Sequence, residues 1–185
     1  PISVTWDPVP LGPQSTKTLS TIIRVAATPI IRIASGAQMV TFPYNFTDNS
    51  LGSVLGLTPE VDFRAYKWDP GQQAYLQASV ANRGESVWIV PTSDQGFITL
   101  ANANLPTDAG AGGLIYTLNR GWNMIGNPYN YAVPLADLVG IVDDAPADTF
   151  TWAQLVSNGF LSSSLVTWDR GTSGAGVGSY KFTAD

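Results

Sequence analysis

The sequence predicts an all-β, sandwich-like domain that is built from two related halves and carries an extended N-terminal arm. Three observations predict this class. Short β-branched and aromatic runs alternate with Gly, Pro, Asn and Asp, helical periodicity is nearly absent, and one segment occurs twice. Short strands at regular spacing are typical of sandwiches and barrels, so the chain is expected to belong to that group.

The duplicated segment is the strongest architectural signal. Residues 36–46 (GAQMVTFPYNF, the first copy) return 85 residues later as residues 121–131 (GWNMIGNPYNY, the second copy), with five of eleven positions identical. Because each copy has to solve the same packing problem, the repeat predicts related halves at about 36–92 and 121–185. We expect residues 101–113, which contain Pro106 and three glycines, to link them.

The two halves differ in how they end. After its Trp-Asp pair at 68–69, the first half continues into an apolar run at 86–90 that reads as a closing strand. After the matching pair at 168–169, the second half reaches residue 185 without such a run. We therefore expect the sheet of the second half to lack one strand.

Local patterns predict where the strands lie. An Asn-Gly pair at 158–159 separates two apolar runs and predicts a tight hairpin between them. Residues 50–57 and 133–141 are each expected to form a short helix or a turn-rich connection. Strands are expected at residues 18–27, 30–34, 38–43, 63–68, 74–79, 86–90, 96–100, 113–118, 123–126, 149–156, 160–168 and 178–183.

Composition excludes several classes of function. A net charge of −5 with nine Lys and Arg argues against nucleic-acid binding, and no apolar run approaches the ~20 residues needed to span a bilayer. The absence of Cys and His removes disulfides, thiol chemistry, Ser-His-Asp hydrolysis and the usual zinc sites. We expect no enzymatic activity, no cofactor and no metal. The low content of charged residues, 12%, is common in secreted β-proteins and favours an extracellular or cell-surface location.

Two positions are candidates for contacts with sugars, and a third is a candidate for glycosylation. Trp68 and Trp168 each precede an Asp, an arrangement in which the ring could lie under a sugar and the carboxylate could accept hydrogen bonds from hydroxyls. The competing interpretation is that each Trp closes a strand into the core while the Asp opens a turn. Asn45 lies in an Asn-Phe-Thr sequon and is a candidate for N-glycosylation.

The second copy also carries a resemblance to known proteins. Residues 118–129 (LNRGWNMIGNPY), the hairpin motif at 68–71 with Tyr75, and the closing run at 84–88 follow one recurring signature. The signature resembles uncharacterised tandem β-domains of bacterial secreted and cell-surface proteins, with a GWN-x-x-G-N-P strand and a W-D-x-G hairpin. The resemblance implies β-architecture and location and says little about activity. Its matching positions in the second copy are Gly121, Trp122, Asn123, Asn127 and Pro128.

The arm at residues 1–35 supplies what the second half is expected to lack. It combines a proline-rich beginning with a run of high β-propensity that belongs to neither copy. If it folds back, the chain is a closed monomer. If it adds as a strand to a neighbouring copy, the contact is head-to-tail and generates a filament. The residues expected to mediate assembly are Ile22, Ile23, Val25, Ile30, Ile31 and Ile33.

We therefore expect a non-enzymatic structural subunit of an extracellular or cell-surface assembly, joined by strand addition of the arm. Its partner would be copies of itself. The alternative is a carbohydrate-binding module, with surface polysaccharide as the partner, or an accessory β-domain of a larger secreted enzyme.

Overall fold

The computed structural model describes residues 28–106, 113–142, 149–169 and 179–184. These residues form short antiparallel strands in several sheets, with α-helices of only five and six residues, so the predicted all-β class is confirmed. The sandwich layering and the two related halves stay predictions. In chain order the elements are β1 (Ile30–Ile33), β2 (Gln38–Thr41), β3 (Asn45–Phe46), α1 (Leu51–Leu55), β4 (Phe63–Asp69), β5 (Ala74–Gln77), β6 (Ser86–Pro91), β7 (Gly96–Thr99), β8 (Ala103–Asn104), a 3-10 helix (Leu135–Asp137), β9 (Val139–Ile141), β10 (Thr149–Thr151), α2 (Trp152–Ser157), β11 (Ser164–Asp169) and β12 (Ser179–Ala184).

A four-stranded sheet in the order β2-β6-β4-β5 is the centre of the fold. Successive side chains of a strand point to opposite faces, so the burial of neighbouring residues reports on both faces at once. In β6 the consecutive residues Val87, Trp88 and Ile89 are 1%, 9% and 0% exposed. The sheet is therefore covered on both of its faces at β6.

The main hydrophobic core lies against one face of this sheet. The cross-strand neighbours Val40 and Val87 share this face and are both buried, and so are Ala65 and Ile89. Burying an aliphatic side chain of this kind fully contributes about 1.5–3 kcal/mol to stability. Helix α1 adds three buried residues to the same core, Leu51, Val54 and Leu55.

The last residues of the predicted arm belong to this core. Strand β1 pairs antiparallel with β7, and Ile33 is completely buried within the core cluster. Next to this ribbon, the Arg32 guanidinium binds both carboxylate oxygens of Asp94, at 2.5 and 2.6 Å. Residues 30–33 thus fold back on their own chain. Residues 1–27, the rest of the arm, lie outside the described residues.

A second ribbon joins the first copy to the expected linker. Strand β3 pairs with β8, so the first residues of the predicted linker are part of the same β-structure as the first copy. The predicted strands at 113–118 and 123–126 are wrong, because these residues form no strand. Ile125 makes a single antiparallel bridge to Glu85 instead, at the beginning of β6.

The predicted strand at 149–156 is wrong after Thr151, where helix α2 begins. The Thr151 hydroxyl accepts a hydrogen bond from the Gln154 amide at 3.3 Å, and the Gln154 side chain accepts one from the Thr151 amide at 2.9 Å. This reciprocal pair is a capping box, which satisfies two amides that a helix leaves without partners. Leu155 of α2 then packs against Gly140 of β9, where a Cβ would collide with it.

The predicted hairpin at Asn158-Gly159 is also wrong, because this pair ends helix α2. Gly159 has a φ of 77°, and its amide donates to the carbonyl of Val156 at 3.0 Å. The amide of Phe160 donates to the carbonyl of Leu155 at 2.9 Å. These two bonds are those of a Schellman motif, for which the left-handed conformation of glycine is as well suited as for a hairpin turn.

The second face of the central sheet is covered by residues that follow position 113. The Ser86 hydroxyl donates to the carbonyl of Ile125 at 2.9 Å, and the Gly126 amide donates to the carbonyl of Gly84 at 2.7 Å. Tyr116 donates its hydroxyl to the carbonyl of Arg83 at 3.3 Å. The Tyr116 side chain lies so close to Gly84 that a Cβ at this position would collide with the Tyr116 hydroxyl.

We predict that Gly84→Ala destabilises the fold more than Gly56→Ala does. Both glycines have a positive φ, 73° and 63°, so both substitutions carry about 1 kcal/mol of backbone strain. Only Gly84 also faces Tyr116, whereas nothing lies within 4 Å of a Cβ at Gly56. Displacing Tyr116 should add roughly 1–3 kcal/mol, measured by urea unfolding. Equal losses in the two variants would show that residues 113–131 do not pack on β6 as described.

Candidate functional site

Two hairpins of the chain share one aromatic arrangement. In β4–β5, Trp68 lies opposite Tyr75, and their rings meet edge to face at 5.2 Å and 68°. In β11–β12, Trp168 lies opposite Tyr180, with the rings at 5.1 Å and 73°. In each pair the Trp is followed directly by an Asp, which is the repeated Trp-Asp motif. The motif therefore builds the same cross-strand pair twice.

The two hairpins meet in a cluster that we call the aromatic joint, formed by Trp68, Tyr75, Trp88, Trp168 and Tyr180. The ring of Trp88 lies 4.8 Å from that of Trp168 and 6.4 Å from that of Tyr180, both edge to face. The hydroxyls of Tyr75 and Tyr180 are 3.5 Å apart. Edge-to-face pairs contribute ~0.5–1.5 kcal/mol each beyond their buried area. The joint thus fastens hairpin β11–β12 to the second face of the central sheet.

The surroundings of two tyrosines favour their neutral forms. The hydrogen bond with Tyr75 raises the pKa of Tyr180 to about 12, with a smaller contribution from burial. Burial raises the pKa of Tyr116 to about 12. Both phenols are parts of the contacts that cover the second face of the sheet. These contacts therefore depend on uncharged hydroxyls.

Hairpin β11–β12 has an unpaired edge. Strand β4 lies between β5 and β6, but β11 pairs with β12 alone in the part of the chain that the structure describes. The position that β6 takes beside β4 thus has no counterpart beside β11 among these residues. An isolated two-stranded hairpin is marginally stable, and an unpaired edge is a template for a further strand. This edge is the candidate functional site for assembly.

The candidate sugar contacts Trp68 and Trp168 lie inside the aromatic joint. Both side chains are partly buried, and each indole N–H is buried with no hydrogen-bond acceptor among the described residues. A sugar hydroxyl cannot reach these N–H groups, so the arrangement favours the packing interpretation over a sugar platform. Asn45 is exposed on β3 opposite Asn104, where its side chain is accessible to modification. Its glycosylation stays a prediction.

The predicted assembly residues are divided by the boundary of the described chain. Ile30 is 56% exposed, Ile31 packs on the core and Ile33 is completely buried. Ile22, Ile23 and Val25 lie outside the described residues. The structure therefore uses the end of the arm within its own fold.

The described ranges give no support for a metal site or a membrane-spanning helix. These ranges contain no group of three or more His, Cys, Asp and Glu residues placed to hold a metal ion. None of the helices described in them has the length and hydrophobicity needed to cross a membrane. No family model, curated protein or solved structure matches the chain.

Sequence reasoning missed two exposed aromatic residues of the second copy. Trp122 is 63% exposed and Tyr131 is 51% exposed, and each belongs to a turn that an asparagine side chain holds. The available signal was the alignment of the copies, in which Ala37 corresponds to Trp122 and Phe42 to Asn127. An aromatic residue gained at one position and lost at another indicates that the two copies use their side chains differently.

We predict that Trp168→Ala loosens the aromatic joint and that Trp122→Ala does not destabilise the fold. Trp168 makes two edge-to-face contacts, whereas Trp122 is mostly exposed. The loss for Trp168→Ala should approach the ~3–5 kcal/mol of a fully buried Trp, in denaturant unfolding followed by near-UV circular dichroism. Similar stabilities of the two variants would contradict the joint.

We predict that the free energy of unfolding falls as the pH rises from about 10 to about 12. The pKa values of Tyr116 and Tyr180 are raised in the folded chain, so the unfolded chain loses these protons first. Their contribution is complete below pH 10 and is lost through this window. Urea unfolding should show the slope, and the double substitution Tyr116→Phe and Tyr180→Phe should flatten it. An unchanged slope in the double variant would count against this cause.

Proposed function

We propose that the protein is a non-enzymatic structural subunit of an extracellular or cell-surface assembly, and that subunits join head to tail by strand addition. The observation that carries the proposal is the edge of β11. The sister strand β4 is completed by β6, while β11 has a partner on one side only within the described residues. A strand supplied by another copy would give β11 the environment that β4 already has.

The donor we propose is the part of the arm that precedes the described residues. Strand β1 is paired with β7, and Ile33 is buried in the core of its own chain. Residues 30–33 therefore serve as an anchor that attaches the arm to the fold. The run at residues 18–27 lies directly before this anchor and contains Ile22, Ile23 and Val25. In a strand, Ile23 and Val25 share one face, which suits insertion against an apolar surface.

The acceptor edge offers both backbone pairing and apolar contact. Leu165, Val166 and Trp168 of β11 are all partly exposed. Each net hydrogen bond of a new strand contributes about 0.5–1.5 kcal/mol, and each fully buried aliphatic side chain about 1.5–3 kcal/mol. A joint of seven or more residues is therefore strong enough to hold subunits together. Because donor and acceptor are different segments of the chain, the contact is head-to-tail and need not close on itself, which extends it into a filament.

We predict that the intact chain assembles with rising concentration and that Ile23→Asp with Val25→Asp keeps it monomeric. The control is Gln14→Asp with Thr16→Asp, which adds the same charge to the arm outside the proposed donor strand. Analytical ultracentrifugation over a wide concentration range would measure the mass. A synthetic peptide of residues 18–27 should cap the edge and block assembly, whereas a scrambled peptide should not.

Hydrogen exchange identifies the acceptor. The outward amides of β11 should become protected on assembly of the intact chain and stay unprotected in the Asp variant. A chain that remains monomeric at all concentrations would overturn the proposal. Assembly that survives Ile23→Asp with Val25→Asp would overturn the role of the arm.

A further inference from the structure

Residues 119–131 expose aromatic side chains on a segment that is held rigid by amide side chains. Trp122 is 63% exposed and Tyr131 is 51% exposed. Exposed aromatic side chains on a fixed backbone are typical of binding surfaces, because little conformational entropy is lost when a ligand covers them. Contacts on either side of Tyr131 and Trp122 show how this segment is fixed.

Asn127 holds the turn that presents Tyr131. Its Oδ1 accepts a hydrogen bond from the Tyr129 amide at 3.0 Å, and its Nδ2 donates to the carbonyl of Tyr131 at 2.6 Å. The rings of Tyr129 and Tyr131 are stacked, with centres 5.1 Å apart and an angle of 19° between them. The guanidinium carbon of Arg83 lies 5.8 Å from the centre of the Tyr129 ring. Tyr131 is thus backed by Tyr129, which is itself in contact with β-structure of the first part of the chain.

Asn123 holds the turn that presents Trp122. Its Oδ1 accepts from the Asn119 amide at 3.0 Å, and its Nδ2 donates to the carbonyls of Asn119 and Gly121 at 2.8 and 2.9 Å. The Asn123 side-chain amide thus makes these three hydrogen bonds with neighbouring backbone groups. The backbone on either side of Trp122 is fixed as a result.

The first copy shares one hydrogen bond of this clamp and lacks the exposed rings, while its Gln38 Nε2 donates to the carbonyl of Arg32 instead. Gln38 corresponds to Asn123, and its Oε1 likewise accepts from the amide four residues earlier, that of Ala34, at 3.4 Å. The position of Trp122, however, is occupied by Ala37, and that of Asn127 by Phe42, which is completely buried. The counterpart of Tyr131 is Phe46, which packs against the core and meets Phe42 edge to face. Packing therefore explains the aromatic residues of the first copy, but it does not explain Trp122 or Tyr131.

We propose that Tyr131, backed by Tyr129, binds the ring face of a neutral carbohydrate. An aromatic face carries a partial negative charge that attracts the polarised C–H groups on one side of a pyranose. Four asparagines at 119, 123, 127 and 130 make the segment rich in amides, and Asn130 is exposed beside Tyr131, where its amide can bind hydroxyls. The charged residues at the site are Arg120 and, against the Tyr129 ring, Arg83, and the four amides outnumber them, which favours a ligand recognised through its hydroxyls.

Titration calorimetry with the full chain and hexasaccharides of β-1,4-linked glucose, N-acetylglucosamine and mannose tests the proposal. We expect one of these to bind, Tyr131→Ala to weaken binding at least tenfold, and Tyr131→Phe to retain it. The matched control is Phe97→Ala, which removes an exposed aromatic ring, 78% exposed, from β7 and should leave binding unchanged. Asn127→Asp keeps the acceptor for Tyr129 but loses the donor to Tyr131, so it should weaken binding less than Tyr131→Ala.

The site is independent of strand addition. The variant Ile23→Asp with Val25→Asp should bind the sugar as the intact chain does, so either proposal can fail alone. No binding to any of the three hexasaccharides, binding that Tyr131→Ala leaves intact, or binding of sulfated polysaccharide in their place would each overturn a neutral carbohydrate site at Tyr131.

Discussion

Strand β6 is buried on both faces, and most of the architecture follows from covering it twice. Val87 and Ile89 face the core that α1 and β1 help to fill, while Trp88 points the other way and is still only 9% exposed. A sheet of four strands cannot bury Trp88 by itself. The cover comes from residues 113–131, which bind the beginning of β6 through backbone hydrogen bonds, and from hairpin β11–β12, which brings Trp168 and Tyr180 onto Trp88.

The two covers of the sheet differ in strength. The first face is closed by a continuous aliphatic core, whereas the aromatic joint relies on a few edge-to-face contacts of ~0.5–1.5 kcal/mol each and on partly exposed side chains. Hairpin β11–β12 adds pairing between two strands only, with an ion pair of Lys181 and Asp169 across them. Like the other two-stranded ribbons it would gain stability from a third strand, and the matching hairpin β4–β5 shows on which side that strand would lie. This weakness is the physical reason why its edge, and no core strand, is the proposed acceptor.

The sequence was informative wherever one signal had one structural meaning. Short runs of high β-propensity between turn residues placed β2, β4, β5, β6 and β7 within a few residues. A strand that is buried on both faces, as β6 is, reads as a continuous apolar run. The sequence failed where one signal serves two structures. Asn158-Gly159 suits a hairpin and a helix end equally, and only the Thr151-Trp-Ala-Gln154 spacing, which matches a capping box, indicates the helix. The aromatic joint joins residues far apart in the chain, and no local pattern shows that Trp168 meets Trp88.

The duplicated segment shows how one sequence motif can serve a core in one place and a surface in another. Gly, Met, Pro, Tyr and Asn are shared by the copies, and Gln38 and Asn123 both accept a hydrogen bond from the amide four residues earlier. In the first copy the strand pairs with β6 along four residues, so Phe42 is drawn into the core. The second copy makes backbone contacts with β6 at its first residues only. Met124 and Gly126 also contact Trp68 and Thr41, whereas Trp122, Asn127 and Tyr131 are exposed. The residue equivalent to Phe42 is Asn127, whose side chain stabilises a turn. The residue equivalent to Phe46 is Tyr131, whose ring is exposed. The second copy covers the sheet with its inner side, so the residues on its outer side are available for the proposed binding surface.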